Sequence, residues 1–346
     1  MTRWWIAWKG WLGKYLSKGY EMIPWKLSAN LAFFGLQRDR YTQYQPARAL
    51  EEKVRLASQI EGVSGVELKY PFDLENPQLA RRLLDEHGLE LSAVNVDIKD
   101  GTLFRYGALS ANSAEARRLV VARLREGMDI AAELGTPLVT TCPLADSYGY
   151  PFQIDYTAAW GHLIESVREV ASYRPEIRFV LEYQPHDLQA HPLLDSVGKM
   201  LYVCAEVGLP NFGANLDIGH SFAGGESPAE AIALLAGQGR LFYMHTNDST
   251  GDGGDWDMLS GSMHLWHWLE ILYTLHRLEY AGWLGADIIT AQMDPVPAFG
   301  ANTRMLLRMW RVLERMGLDK LHELVQQDGN TAELFDYLGE QVLGRE

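Results

Sequence analysis

Cysteine is scarce in this chain: Cys142 and Cys204 are the two thiols among its 346 residues. Two cysteines so far apart cannot form the disulfide framework of a small secreted protein, and they lack the paired spacing of a zinc knuckle. Runs of about 18 apolar residues, which a membrane-spanning helix needs, are also absent. The sequence therefore predicts a reducing, cytoplasmic environment and no membrane partner.

Basic charge is also in short supply. The chain has 31 Lys and Arg residues against 45 Asp and Glu residues, which leaves a formal net charge of −14. Proteins that bind nucleic acid neutralise its phosphates with clustered Lys and Arg side chains, and the sequence contains no such cluster. We therefore expect no nucleic-acid partner.

The first 25 residues form an extension rich in tryptophan. Trp4, Trp8, Trp11 and Tyr15 recur at helical spacing with lysines between them, but the segment lacks the long apolar core and the cleavage site of a secretory signal. An interfacial membrane anchor is one interpretation of this pattern. The interpretation we favour is a helix packed on the body of the protein or on a neighbouring subunit, or an extension upstream of a natural start at Met22.

Eight runs rich in β-branched and aromatic residues alternate with amphipathic helical stretches. The predicted strands are 26–35, 65–71, 89–98, 136–143, 177–185, 211–219, 241–248 and 283–289. Most are almost continuously apolar, as parallel strands covered on both faces are. This pattern predicts an α/β protein with a (β/α)₈ barrel over residues 26–300. A doubly wound sheet is the alternative, although no G-x-G-x-x-G follows the first strand.

The predicted helices between the strands are 46–61, 76–87, 113–134, 157–173, 192–207, 227–238 and 264–281. Ser113 and Ser227 are expected to cap two of them, with Pro228 at the first helical position. Residues 301–346 are predicted to form a C-terminal extension of two or three helices. Such an extension suits capping of the barrel or contacts in a homo-oligomer, a dimer or a tetramer.

Four metal-competent side chains stand at the ends of strands five to eight, where the chemistry of such barrels is located. They are Glu182, Asp217, His245 and Asp287. Each has a structural explanation when taken singly: a buried ion pair, a cap, a packed histidine or a turn. Together, three uncompensated acids at neighbouring strand ends would cost several kcal/mol. A divalent cation removes that cost, and carboxylate with imidazole suits Mn²⁺ best, with Co²⁺ or Mg²⁺ possible.

The loop GDGGDWD, residues 251–257, carries two further acids. Taken alone, it is typical of a solvated surface loop. Its glycines, however, allow Asp255 and Asp257 to bend back toward His220 and form a second cation site that shares Asp217. The neighbouring Asp248 and Asp252 are interpreted as solvated. We therefore expect one or two cations per chain.

The order Glu, Asp-x-x-His, His-x-Asn-Asp, Asp-x-Asp, Asp resembles the xylose isomerase-like TIM barrels, and within them the L-rhamnose isomerase and xylose isomerase group. The resemblance runs from about residue 26 to 300, and DIAAELGTPLVTT and EYAGWLGADI also look like sugar isomerases of this group. Carried over, the family's structural metal falls on Glu182, Asp217, His245 and Asp287. Its catalytic metal falls on His220, Asp255 and Asp257.

The resemblance implies an aldose–ketose isomerase that acts on a sugar by a 1,2-hydride shift. Catalytic roles fall on Glu182, His220 and Asp257, with Asp257 orienting the water that takes the hydroxyl proton. Isomerases of this group carry Glu-x-Lys on strand five, whereas this chain reads Glu182-Tyr183-Gln184. A neutral glutamine supplies no charge, so either a metal does more of the work or the reaction differs.

Three alternatives follow from that departure. Related ketose 3-epimerases use two Glu residues as paired acid and base around one metal; the shorter Asp287 and the Asp-x-Asp loop favour the isomerase over the epimerase. A C-glycoside-deglycosylating enzyme on the same fold is the second. A sugar-binding barrel without catalysis is the third.

Further side chains at the barrel mouth are candidates for binding the sugar. The substrate-binding candidates are Gln184, His186, Lys69 and Trp256. Glu67, Asn95 and Asp97 are weaker candidates for binding hydroxyl groups, and Phe34 is a candidate apolar wall. Lys69 is the only lysine that ends a predicted strand, so it is also a candidate to replace the charge that Gln184 lacks.

Overall fold

Eight strands occur where the sequence predicts them. The structure is a computed structural model that describes residues 23–99, 101–186, 190–252 and 254–344, so most of the tryptophan-rich extension predicted for residues 1–25 lies outside the described residues. The strands are β1 (Lys26–Asn30), β2 (Val63–Tyr70), β3 (Glu90–Val96), β4 (Leu138–Thr141), β5 (Arg178–Glu182), β6 (Phe212–Asp217), β7 (Leu241–Thr246) and β8 (Trp283–Ala286).

The strands close into a barrel in which each is parallel to both neighbours. The order around the barrel follows the chain from β1 to β8, and β8 pairs with β1 to complete the ring. The predicted (β/α)₈ barrel is therefore confirmed. Register aligns residues at the mouth: Glu182 is opposite Asn215, and Asp217 is opposite His245. Because side chains alternate along a strand, Asn215 and Asp217 both point inward.

Helices connect the strands and continue past the last one. They are α1 (Leu50–Ala57), α2 (Pro77–His87), α3 (Ala114–Leu134), α4 (Tyr156–Tyr173), α5 (Val197–Val207), α6 (Ile218–Ala223), α7 (Pro228–Gly237), α8 (Leu265–Arg277), α9 (Pro295–Met316), α10 (Leu318–Val325) and α11 (Thr331–Leu343). The predicted caps are confirmed: Ser113 accepts a hydrogen bond from the backbone of Ala116, and Ser227 accepts one from Glu230.

Helix α9 begins before residue 300 and packs against α8 and α1, so it completes the helical ring around the barrel. Its Trp310 ring meets the Trp25 ring edge-on at 5.2 Å between centroids, and its Phe299 lies 4.8 Å from Phe34. Phe34 is fully buried in this contact. The expectation that Phe34 forms an apolar wall for a sugar is therefore wrong.

The floor of the site is a tyrosine in the barrel interior. Tyr243 on β7 is fully buried, and its hydroxyl lies 3.3 Å from that of Ser28 and 3.2 Å from that of Ser92. His245 and Asn247 follow at alternate positions, so β7 and its end present three inward side chains in a column. None of the helices in the described part of the chain is long and apolar enough to cross a bilayer.

Candidate metal centre

Four side chains from β5, β6, β7 and the end of β8 converge at the mouth of the barrel. Each of Glu182, Asp217, His245 and Asp287 offers one ligand atom, and these four atoms lie within 4.8 Å of one another. Nδ1 of His245 is 3.1 Å from Oδ2 of Asp287, 3.3 Å from Oε2 of Glu182 and 3.7 Å from Oδ2 of Asp217. All four side chains are buried or nearly so. We call this set the four-ligand cluster.

The charge of the four-ligand cluster suits a divalent cation. Among the described residues, the ion-pair partners of its three carboxylates within 4.0 Å are all histidines. Burial raises the pKa of Asp217 to about 7, and the positive charge of His220 and His245 only partly opposes this. Without a cation the carboxyl group of Asp217 is therefore partly protonated near neutral pH. Three carboxylates with one imidazole nitrogen form a donor set that fits the predicted cation.

Three asparagines orient the three carboxylates of the cluster. The donor–acceptor pairs are Asn215 to Glu182 at 3.1 Å, Asn30 to Asp287 at 2.9 Å and Asn247 to Asp217 at 2.9 Å. All three asparagines are buried. The sequence motif includes Asn247 but gives it no role, and it includes neither Asn30 nor Asn215, although Asn215 and Asn247 stand two residues from Asp217 and His245. That period-two spacing is the signal that would have found them.

Asn247 also fixes the turn that leads from β6 into α6. Its Oδ1 accepts the backbone N–H of Gly219 at 2.7 Å, and a Cβ atom at Gly219 would lie 2.8 Å from that oxygen. This close approach requires glycine. Its Nδ2 donates to Asp257 at 2.9 Å as well as to Asp217, so one amide links β6 to the loop after β7.

The three residues predicted to hold a second cation lie beside the four-ligand cluster. Asp217 caps α6 by accepting the backbone N–H of His220, which places that histidine one turn further on. Nδ1 of His220 is 3.0 Å from the carbonyl oxygen of Tyr183, and its Nε2 is 3.4 Å from Oδ2 of Asp255. Asp257 is buried and has a left-handed backbone with φ of 42°. Non-glycine residues in this conformation are uncommon and often belong to functional sites.

Asp257 and His220 hold protons strongly when no cation is present, whereas the charge of His220 outweighs burial and lowers the pKa of Asp255. Burial, together with the nearby carboxylates of Asp255 and Asp287, raises the pKa of Asp257 well above its ordinary value. Burial opposes the charging of His220, but Asp217 and Asp255 outweigh it and raise the pKa of that imidazole. The acids of this group thus depend on nearby positive charge, either from protons or from a cation.

Gln184 is engaged inside the protein. Its amide nitrogen is 3.2 Å from Oδ2 of Asp255 and 3.4 Å from the carbonyl oxygen of His186, and its amide oxygen is 3.5 Å from the thiol of Cys142. The side chain is 3% exposed. In this arrangement Gln184 ties the end of β5 to the loop that carries Asp255. A role in substrate binding would require those bonds to rearrange.

Two lysines lie near the mouth. Nζ of Lys69 is 3.6 Å from Oδ2 of Asp97, so its charge is already paired. Lys99 follows in the loop after β3. Desolvation opposes its charge, but Cys142, Glu182, Asp97 and Asp287 outweigh desolvation and raise its pKa. Lys99 lies beyond the end of β3, so the pattern of lysines at strand ends did not predict its place near the mouth.

Trp256 is half exposed at the mouth, and its indole N–H donates to Asp252 at 2.9 Å. The ring therefore stays accessible to a ligand while its polar edge is held. Asp252 itself is exposed, in agreement with the prediction that it is solvated.

The prediction that Asp248 is solvated is wrong. Asp248 is fully buried, and its carboxylate accepts the backbone N–H groups of Ser249, Met263 and His264. It also lies 2.7 Å from Nδ1 of His264. Because these partners stand at both ends of residues 249–264, Asp248 closes the loop that carries Asp255 and Asp257. The loop is anchored by an acid that sequence alone interprets as a surface charge.

We expect Asp248→Ala to lower the free energy of unfolding by about 3 kcal/mol, because it leaves buried donors without their charged acceptor. Asp252→Ala is the matched control in the same loop, and its expected effect is below about 0.5 kcal/mol. Urea unfolding of both variants measures the difference. Equal effects of the two substitutions would contradict the anchoring role of Asp248.

The chelated protein should lose stability as the pH rises from 6 to 8. The pKa of Asp217 is about 7 in the folded chain, well above that of an unfolded aspartate, so the folded state binds the additional proton. Stability from such a group is fully present below the unfolded pKa and is lost progressively up to the folded pKa, so Asp217 contributes to the fall up to about pH 7. The raised pKa values of Asp257, His220 and His245 act in the same direction.

Thermal unfolding with EDTA and with Mn²⁺ at each pH tests this prediction. The midpoint should fall with pH in EDTA, and the stabilisation by Mn²⁺ should grow because the cation replaces the protons. Asp217→Asn should flatten the slope in EDTA. A chelated midpoint that is constant or rises over this range would contradict the prediction.

Comparison with known proteins agrees with this fold. Residues 54–309 match the family described as the xylose isomerase-like TIM barrel. The chain belongs to that family. A curated relative, the xylose isomerase of Thermus thermophilus, is 26% identical over 219 residues, which cover 61% of this chain and 56% of that protein. The chain thus spans little more than half the length of this xylose isomerase.

Solved structures of low sequence identity share the fold. A D-tagatose 3-epimerase-like protein superposes with a TM-score of 0.63 at 15% identity, covering 84% of this chain and 98% of its own. The 3-keto-D-glucoside 4-epimerase of E. coli superposes with a TM-score of 0.62 at 14% identity, covering 83% and 99%. At these identities the likeness concerns the barrel, and the chemistry must be argued from the site.

Proposed function

We propose that this member of the xylose isomerase-like family is a divalent-cation-dependent sugar epimerase or isomerase that moves a proton at a carbon next to a carbonyl group. The observation that carries the proposal is the four-ligand cluster, with its Glu182 and Asp287. The names of the two structural neighbours, a D-tagatose 3-epimerase-like protein and a 3-keto-D-glucoside 4-epimerase, support a sugar as the substrate.

The position of the two carboxylates suits proton transfer. Glu182 ends β5 and Asp287 follows β8, so they are the outer members of an arc of four neighbouring strands. A substrate carbon held above the cluster would therefore have one carboxylate on each side. Epimerisation needs that arrangement, because the proton leaves from one face and returns to the other.

Two asparagines orient these carboxylates for proton transfer. Asn215 donates to Oε2 of Glu182 and Asn30 donates to Oδ1 of Asp287, which fixes the direction of each group. A bound divalent cation supplies polarisation of the sugar carbonyl, which makes the neighbouring C–H acidic. We assign Glu182 as the base that removes the proton and Asp287 as the acid that returns one. The half-exposed Trp256 is proposed to stack on the sugar ring.

A second candidate is the aldose–ketose isomerase with a 1,2-hydride shift, which the sequence alone favours. Its support is the position of His220, Asp255 and Asp257 beside Asp217, which suits a second cation. We rank it second because β5 carries Gln184 in place of a lysine, and the amide of Gln184 is engaged with Asp255. Among the described residues, the four-ligand cluster is also the one group whose donors gather within 4.8 Å.

Incubation of ketohexoses and aldoses with the Mn²⁺-loaded protein in D₂O tests the proposal. Proton transfer predicts product that carries deuterium at the reacting carbon, and activity that is lost on chelation and restored by Mn²⁺. Product without solvent deuterium would favour the shielded hydride shift. Absence of cation-dependent turnover over the whole panel would overturn both candidates and leave a sugar-binding barrel.

A further inference from the structure

Glu67 lies beneath the four-ligand cluster and contacts its histidine. The residue is on β2 and is fully buried, so it cannot bind a sugar hydroxyl as the sequence suggested. Its Oε2 is 3.0 Å from Nε2 of His245, and its Oε1 accepts the side-chain N–H of Asn95 at 2.6 Å. Because β2 and β7 are separated by β1 and β8 in the ring, this contact crosses the barrel interior.

The two nitrogens of His245 face different carboxylates, and the amide nitrogen of Asn215 lies 3.3 Å from both ring nitrogens. Nε2 faces the carboxylate of Glu67, whereas Nδ1 faces the three carboxylates of the cluster at 3.1 to 3.7 Å. When His245 binds a cation its imidazole is neutral and carries one N–H and one lone pair. Since a carboxylate accepts hydrogen bonds, Glu67 keeps the proton on Nε2 and leaves the lone pair of Nδ1 directed at the cluster.

We propose that Glu67 is a positioning residue which, through His245, sets both the affinity of the four-ligand cluster for its cation and the preference for a transition metal over Mg²⁺. This inference rests on the cation proposed above. A carboxylate behind a ligating histidine fixes the ring and makes it a stronger ligand. Imidazole binds Co²⁺ well, whereas Mg²⁺ prefers oxygen ligands, so strengthening the one nitrogen donor favours Co²⁺.

A purely structural pair would behave differently. If Glu67 only joined β2 to β7, its removal would destabilise the protein equally with and without a cation. If Glu67 acts through His245, its removal changes mainly the stabilisation that Co²⁺ adds. Cation binding measured directly, together with the chelated unfolding midpoint, separates these two roles.

The test is Glu67→Gln in the full chain, compared with Glu90→Gln. Glu90 lies at the start of β3, at the opposite end of the barrel, in an exposed ion pair with Lys26. Calorimetric titration should show a 10- to 100-fold weaker affinity for Co²⁺ in Glu67→Gln. We expect a change of less than about 3-fold for Mg²⁺, a shifted visible spectrum of bound Co²⁺, and no change in either measurement for Glu90→Gln.

A double-mutant cycle gives the decisive comparison. In a His245→Ala background, Glu67→Gln should have no further effect on Co²⁺ affinity, because the imidazole that transmits its effect is absent. If Glu67→Gln fails to fold, Asn95→Ala is the second variant, with a smaller loss of Co²⁺ affinity expected.

Unchanged Co²⁺ binding in Glu67→Gln would overturn this inference and leave the proposed function intact. So would equal losses for Co²⁺ and Mg²⁺, or an equal effect of Glu67→Gln in the His245→Ala background. Failure of the unaltered protein to bind any divalent cation would overturn the proposed function together with the inference.

Discussion

Replacing Glu182 with Gln is expected to lower cation-dependent sugar turnover by about 10²- to 10⁴-fold, the range of a lost general base. The glutamine keeps the shape and can still accept the N–H of Asn215 at the position of Oε2. It cannot accept a proton from the substrate, however, and it is a poorer cation ligand. The measurements are turnover and deuterium exchange at saturating Mn²⁺.

Stability separates this loss from unfolding. Glu182 is one of three buried carboxylates in the four-ligand cluster, so its neutralisation relieves repulsion in the chelated protein. We expect the chelated unfolding midpoint of Glu182→Gln to equal or exceed that of the unaltered chain. Glu90→Gln, the same chemical change at the far end of the barrel, should leave turnover unchanged. Exchange that survives in Glu182→Gln with the cation bound would exclude Glu182 as the base.

The barrel was predictable from sequence because its signals are local. Each strand is an apolar run between turn residues, and caps such as Ser113 and Ser227 act over three residues. The four candidate ligands followed from the same logic, since a polar residue at the end of a parallel strand faces the mouth. Knowing the strands was therefore enough to bring Glu182, Asp217 and His245 together.

The residues that hold the four-ligand cluster in place, such as Glu67 and Asn30, were not predictable, because their contacts join distant parts of the chain. Glu67 and His245 are 178 residues apart, and Asn30 and Asp287 are 257 residues apart. These pairs depend on barrel closure and on strand register, which no local pattern encodes. An asparagine also carries no signal of its own, since the same residue is common in turns.

The burial of Asp248 was not predictable for a different reason. A loop with four acids and three glycines has the composition of a solvated segment, and composition alone cannot tell which acid is buried. The structure distinguishes them by hydrogen bonding: Asp248 accepts backbone N–H groups from both ends of the loop, whereas Asp252 accepts a local one from Gly254. The partner His264 lies 16 residues further on, beyond the reach of a loop motif.

The double variant Asp255→Ala/Asp257→Ala is expected to remove a second bound cation and to keep the first. The four ligands of the first come from strand ends that the substitutions do not touch. Loss of both acids leaves His220 as the one remaining ligand unique to the second set. The number of Co²⁺ ions bound per chain, measured by titration, should therefore fall from two to one.

The same variant decides between the two proposed reactions. Proton transfer at the four-ligand cluster should persist in this variant, so deuterium exchange is expected to remain within about tenfold of that in the unaltered chain. That loss is smaller than the one expected when a general acid or base is removed. Loss of more than about 10³-fold with the first cation still bound would instead favour the two-cation hydride shift. Asp252→Ala is the control, because that acid lies in the same loop and is exposed. Binding of a single equivalent of Co²⁺ by the unaltered chain would show that His220, Asp255 and Asp257 do not hold a cation. The role of Asp257 would then be to orient Asp217 through Asn247, which donates to both.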